Sequence, residues 1–230
     1  MAKKLHKRAK YNMALASDDQ FEAPVAIAAL KKFKAPKFDQ TVEISMHLGV
    51  DVKQADQMIR GSVSLPKGIG KSKRVIAFCG EDQTAAAKEA GAIEAGGKEL
   101  VSKIEKGWFD FDVVVATPDM MRVISKLGRV LGPKGLMPSP KAGTVTAKVA
   151  DAVKEYAAGK VEYRTDKAGN IHAVIGKMSF ADVDLLENYS FFVDTIERAR
   201  PSSAKGRYIK KITLSGTMTP GVQVKHVESE

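Results

Sequence analysis

The sequence predicts an α/β protein of two domains. One is a split α+β domain whose antiparallel sheet is formed from both termini; the other is an inserted domain with a doubly wound parallel sheet. Three observations carry this. Near-alternating apolar segments lie towards the two ends of the 230-residue chain, short branched apolar runs interleaved with alanine- and lysine-containing stretches fill the middle, and Gly- and Pro-rich junctions separate the two patterns.

Taken in chain order, the first element is a helix opened by Pro24 and ending in Lys31, Lys32 and Lys34, with its cations at the negative end of the helix dipole. "FDQTVEISMHLGV" (38–50) then alternates as a half-buried strand does. "SLPKGIGKSKR" (64–74) is the entry junction, with Pro66, Lys67 and Gly68 as hinge residues. In the middle block "RVIAFCG" (74–80) reads as a buried strand, "DQTAAAKEAG" as a helix closed by Gly91, and "AIEAGG" as a short strand. "KELVSKIEKG" is a helix from Lys98 to Gly107, and "FDVVVATPDM" a strand whose exit at Thr117 and Pro118 opens another helix. A helix around Ala147 to Tyr156 precedes the return junction "AAGK" (157–160), where Gly159 is the hinge residue. "KVEYRTDKAGNIHAVIG" (160–176) and "YIKKITLSGTMTPGVQVK" (208–225) resume the alternating pattern around a helix from Asp182 to Arg200. Pairing the N-terminal strand with these makes residues 1–67 plus 160–230 one domain and 68–159 the insertion.

Charge narrows the function. A net charge of +10 and a pI near 9.5 favour a polyanionic partner, nucleic acid above all. Residues 68–159 hold 14 basic against 11 acidic side chains and the remainder 23 against 16, so the split domain is the better candidate for that surface. No apolar run approaches the roughly 20 residues of a membrane helix. The opening "MAKKLHKRAKYNMALASDDQ" has no continuous apolar core and makes a poor secretory signal, leaving the cytoplasm as the default. The single Cys79 excludes an internal disulfide and reads as a buried thiol.

Site chemistry is sparse. "GIGKS" (68–72) has Leu65 where a phosphate-binding loop needs glycine, and it precedes a strand where it should follow one. "CGEDQT" after the first middle strand has one glycine and two acids, unlike a dinucleotide fingerprint. His6, His47, His172 and His226 show no metal-ligand spacing, and no serine sits in Gly-x-Ser-x-Gly. The expectation is no cofactor, no metal and no enzymatic activity. The rival reading is an enzyme or nucleotide-binding protein using the doubly wound middle domain, and a third is a basic chaperone or packaging protein without preferred sequence.

The stretch "LGRVLGPKGLMPSPKAGTV" (127–145) is rich in glycine and proline, carries Arg129, Lys134 and Lys141, and contains no acid. It reads equally as a ligand-contacting loop at one end of the parallel sheet or as a solvated loop whose glycines and prolines fix turns. With "KFDQTVEISMHLGVD", "RGSVSLPKGIGK", "VVVATPDMM", "YRTDKAGNIHAVIGK" and "ITLSGTMTPGVQV", in this order, it is very similar to the ribosomal protein L-one family, the family of the mobile stalk of the large ribosomal subunit.

The resemblance implies a hinged pair of domains, a split RNA-binding one and an inserted Rossmann-like one. Its implied partners are large-subunit ribosomal RNA of the stalk, tRNA in the exit site and the protein's own messenger RNA, with no membrane and no small-molecule cofactor. It also implies that "KFDQTVE" and "SGTMTPG" lie side by side and face an irregular RNA, placing Lys37, Phe38, Thr41, Glu43, Ser215, Gly216, Thr217, Met218, Pro220 and Gly221 in the contact. Small polar side chains and exposed amides suit the shallow groove and distorted backbone of RNA. Glu43 is expected to accept from a ribose hydroxyl or to hold a cation, and Gly216 and Gly221 to permit close approach. Asp166 to Asn170 reads as a hairpin turn presenting Arg164 and Lys167 to phosphate, and Asp166, Gly169 and His172 are placed in the same RNA contact. Thr219 stands where the family pattern suggests glycine. Arg129, Lys134 and Lys141 are a secondary contact. Without the resemblance Phe38 reads as a core aromatic, Thr41 and Glu43 as solvent-face strand residues, Met218 as a gap filler and His172 as structural.

Overall fold

A computed structural model describes residues 6–226; residues 1–5 of the basic opening and residues 227–230 lie outside it. The fold is mixed α/β. The chain forms two compact units, one running through Gly70 and resuming at Tyr163, the other spanning Lys71–Glu162.

The first unit begins with α1 (Lys7–Leu15), β1 (Gln20–Phe21) and α2 (Ala23–Lys32), followed by β2 (Thr41–Leu48) and β3 (Arg60–Val63). Sequence reading assigned neither α1 nor β3, because both are short and lack a strong apolar period. The second unit holds β4 (Val75–Phe78), α3 (Glu81–Glu89), β5 (Glu94–Gly96), α4 (Lys98–Glu105), β6 (Val113–Ala116), the short helices α5 (Met121–Ile124) and α6 (Gly128–Leu131), and α7 (Val149–Ala157). The chain returns through β7 (Val161–Arg164), β8 (Asn170–Lys177), α8 (Asp182–Arg198), β9 (Ile209–Gly216) and β10 (Val222–Val224).

In the first unit the five-stranded sheet runs β1-β10-β9-β2-β8, with β2 antiparallel to both neighbours and β1 parallel to β10. The N-terminal strand β2 thus sits between two C-terminal ones. Alternation decides which side is covered: Val42, Ile44, Met46 and Leu48 are buried, as are Ile171, Ala173 and Ile175 of β8 and Ile212 and Leu214 of β9. They pack with Ala26, Ile27 and Leu30 of α2 and Leu185, Phe192 and Ile196 of α8. Lys31 near the end of α2 donates to the Phe180 carbonyl and pairs with Asp182 at the start of α8, joining the two helices. The other face of the sheet carries the alternate residues, Thr41, Glu43, Ser45, His47, His172, Lys211, Thr213 and Ser215, all exposed or half-buried.

The second unit is doubly wound. Parallel strands run β5-β4-β6, and Val145 adds a parallel bridge to Ala116. One face of the sheet packs Ile76, Phe78 and Val114 on Leu100, Ile104, Ile124, Leu127 and Leu131; the other packs Val75, Ala77 and Val115 on Ala87, Val149, Val153 and Tyr156. Cys79 is buried in the second cluster.

The junctions are firmer than their composition suggests. Asn188 on α8, fully buried, accepts from the Lys67 amide at 3.1 Å and donates to the Gly68 carbonyl at 3.0 Å and the Ile175 carbonyl at 2.8 Å. The Lys67 ammonium meets Glu187 and Asp184, and the hydrogen bond to Glu187 together with both carboxylate charges raises its pKa. Lys67 and Gly68 are therefore bound to the first unit, and the chain leaves it after Gly70. On the return, Gly159 (φ +105°) ends α7, its amide bonding the Tyr156 carbonyl, a left-handed position that favours glycine.

Candidate nucleic-acid interface

The two segments expected side by side are hydrogen-bonded to each other. The start of β2 runs antiparallel to the end of β9, pairing Val42 with Gly216 and Glu43 with Ser215. Beyond the ladder, the Thr217 amide donates to the Thr41 carbonyl at 3.1 Å and the Thr41 amide donates to Thr217 Oγ1 at 3.2 Å. Gln40, almost wholly buried, reaches across: its Oε1 accepts from the Met218 amide at 2.9 Å and its carbonyl accepts from the Met178 amide at 2.9 Å. Asp39 holds the third strand end, accepting from the Ser179 amide and hydroxyl.

This edge presents apolar and polar groups outward. Phe38 is 53% exposed and Met218 52%, so neither is a core side chain. Lys37, Glu43 and Thr217 are exposed and Thr41, Ser215 and Pro220 half-buried. The Lys177 ammonium donates to Thr41 Oγ1 at 2.9 Å, placing a cation within the edge. Sequence reading missed Lys177, Gln40 and Asp39, whose roles depend on contacts between strands. Among the described residues no cation holds Glu43 and no side chain bonds it, which leaves its carboxylate a free acceptor.

The space a Cβ would need at Gly216 is occupied by Met178 Cε at 2.9 Å and Thr219 Oγ1 at 3.0 Å, and at Gly221 by Thr213 Cγ2 at 2.6 Å. Met178 Cε is the far end of a flexible side chain and yields cheaply, so the protein's own packing bears most on glycine at Gly221. Thr219 points inward, its Oγ1 accepting from the Gly216 amide at 2.8 Å, so it closes the turn. Asp166 is exposed and closes its own turn: its carboxylate accepts from the Ala168 and Asn170 amides, each at 2.8 Å, and from Asn170 Nδ2 at 3.0 Å. These bonds, those of Asn170 foremost, lower its pKa to about 2.

The turn after Asp166 uses Gly169 at φ +79°, whose carbonyl accepts from the Leu48 amide of β2. Arg164 and Lys167 are exposed on either side of it. His172 Nδ1 lies 3.0 Å from Ser45 Oγ and its Nε2 3.7 Å from Asp166, on the open sheet face. His47, beside Asn170 at 2.8 Å, continues that face. The strand period alone would have marked His47, Ser45 and Thr213 as sharing a face with Thr41 and Ser215.

The glycine-rich stretch belongs to the other unit and is well fastened. Leu127, Leu131, Pro138 and Ala142 are buried, the Ser139 amide donates to Thr144 Oγ1 at 2.7 Å, and the Tyr156 hydroxyl donates to the Ala142 carbonyl. Gly135 and Gly143, both at φ +71°, fix its turns. Arg129, Lys134 and Lys141 are exposed, and the Lys134 ammonium sits 3.3 Å from the centre of the Phe109 ring.

Comparison with known proteins bears on these segments together. Residues 30–220 match the model of the ribosomal protein L1p/L10e family, a span that contains both paired strand ends and the fastened loop. The chain belongs to that family. It is similar to the large ribosomal subunit protein uL1 of Nocardioides sp., with 54% identity over 217 residues covering 93% of this chain and 90% of the relative. Membership in the ribosomal protein L1p/L10e family makes it a ribosomal protein and not an enzyme, located in the ribosome in the cytoplasm. Among the described residues no group of His, Cys, Asp and Glu could hold a metal ion, and no helix is long and apolar enough to cross a membrane.

Proposed function

We propose that this protein is a constituent of the large ribosomal subunit that grips ribosomal RNA of the mobile stalk through the edge formed by Lys37 to Glu43 and Ser215 to Met218. The observation that carries the proposal is the pairing of Thr41 with Thr217, which sets exposed Phe38 and Met218 on one rim beside the cation of Lys177. Flat apolar groups pack on bases and sugars, hydroxyls and the free Glu43 carboxylate meet ribose 2′-hydroxyls, and Lys177, Arg164 and Lys167 meet phosphate. Binding at the stalk assists release of deacylated tRNA from the exit site. A rigid edge that reads RNA by contour accepts any RNA of the same contour, so the same surface binds the protein's own messenger RNA and represses its translation. The proposed units of this action are the first unit, through Gly70 and from Tyr163 onward, for RNA binding and Lys71–Glu162 as the inserted domain.

Competition between stalk RNA and bulk duplex RNA at about 150 mM salt tests the reading, because non-specific binding is electrostatic and weakens steeply with salt. Preference for stalk RNA by at least about a thousandfold is the expected result for a specific site. Equal affinities would instead make the protein a general basic binder. Charge reversal at Lys134 should leave stalk affinity nearly unchanged; a large loss would move the contact to the inserted unit.

A further inference from the structure

The element that sequence reading left unassigned, α1, carries charge that its own stability disfavours. Its first turn holds Lys7 and Arg8 and no acid, at the positive pole of the helix dipole, and its N-cap residue His6 provides no side-chain bond. Cations there oppose the dipole, and Lys7 and Lys10 stand one turn apart with like charge. Neither has a carboxylate partner among the described residues, and the same holds for Lys34 and Lys37. An arrangement that weakens the free helix makes physical sense where an external anion compensates it.

The placement of α1 is specific. Asn12, 1% exposed, bonds the backbone of Lys34 in both directions: its Nδ2 donates to the Lys34 carbonyl at 3.2 Å and its Oδ1 accepts from the Lys34 amide at 2.8 Å. Lys34 begins the short loop that carries Lys37 and Phe38 into β2. Phe38 lies four positions after Lys34, a reach of at most about 14 Å. Lys7 and Lys10 lie on the side of the helix opposite Asn12, and Tyr11 lies next to them at the edge of that side, i+4 from Lys7; all three are exposed, Tyr11 at 55%. Two cations beside an open aromatic ring suit a strand of nucleic acid, with phosphates to the cations and a base stacked on the ring.

We propose that α1 is a second RNA-contacting element, seated by Asn12 on the Lys34 loop and extending the Phe38–Thr217 edge with Lys7, Lys10 and Tyr11. The proposal rests on the RNA-binding reading above and adds a contact to it. Asn12 is a positioning residue; Lys7, Lys10 and Tyr11 touch the RNA.

The test measures the affinity of the full chain for a stalk RNA fragment across a salt series, comparing wild type, Lys7→Ala/Lys10→Ala, Lys7→Arg/Lys10→Arg, Asn12→Ala and Thr217→Ala, with melting temperature as the folding control. Loss of two phosphate contacts should lower the slope of log affinity against log salt by about 1.4 to 1.8 and weaken binding by about tenfold near 0.1 M salt. The arginine pair should restore both, and Asn12→Ala should weaken binding in the same direction as the alanine pair. If the alanine pair binds like wild type while Thr217→Ala is weakened, the α1 contact is wrong and the main interface stands. If neither variant changes affinity, the RNA reading beneath it falls. An unchanged salt slope, or tighter binding of an acidic polypeptide than of RNA through Lys7 and Lys10, also overturns the proposal.

Discussion

Thr41 and Thr217, 176 residues apart in sequence, hold each other by reciprocal backbone and hydroxyl hydrogen bonds at the mouth of the five-stranded sheet. The bonds join the first long strand of the chain to the turn after β9, so the proposed RNA edge exists only once both termini have folded together. They engage Thr217 Oγ1 at an exposed position whose neighbouring amides, of Gly216 and Met218, are bonded by Thr219 and Gln40.

Replacement of Thr217 or Met218 by alanine should cost about 1 to 3 kcal/mol of RNA affinity, the range for loss of a close contact at a specific interface. Met218 is half exposed, so melting temperature should hold for Met218→Ala. Titration of both variants with stalk RNA alongside calorimetric melting separates the effects; a lowered melting temperature with unchanged affinity would refute the assignment.

Asn188→Ala should destabilise the first unit by about 2 to 4 kcal/mol. It removes a buried side chain and leaves the Lys67 amide and the Gly68 and Ile175 carbonyls without their partner. Amide hydrogen exchange at Lys67 should accelerate in the variant, and an unchanged rate would show that the clasp does not hold the junction.

Gly221→Ala drives a methyl into Thr213 Cγ2 and should cost about 1 to 3 kcal/mol, as overpacking does. Thr213→Ser removes the obstructing methyl, so the double variant should regain most of the stability. Chemical denaturation of the two single variants and the double gives the coupling directly, and additive losses would count against the clash.

Asp166 has a folded-state pKa of about 2 against its ordinary 3.8, because its bonds to Asn170 favour the charged form. A depressed carboxyl contributes stability in full above about pH 4, and that contribution is lost as pH falls towards 2. The melting-temperature difference between wild type and Asp166→Asn should therefore narrow between pH 4 and pH 2. A difference independent of pH would show that the carboxylate charge is irrelevant to the turn.

Local pattern was enough to read the α/β class, the alternation of β2 and β8, the strand–helix rhythm of Arg74 to Gly159 and the starts of α4 and α8, since each follows from side-chain period and helix-end chemistry within a few residues. The segments around Phe38 and Thr217 were also visible, through their family resemblance. What the residues alone left open was decided in the folded chain: Phe38 and Met218 are exposed, Gly216 and Gly221 lie against neighbouring protein atoms, and the Asp166 and Thr219 side chains close their own turns. The junction at Lys67 and Gly68 looked loose by composition, yet Asn188, 120 residues further along, clamps it. The physical reason is the same in each case. Period and capping are short-range properties of a segment, whereas the direction of a side chain and the partner of a buried amide depend on which distant strand or helix arrives beside it.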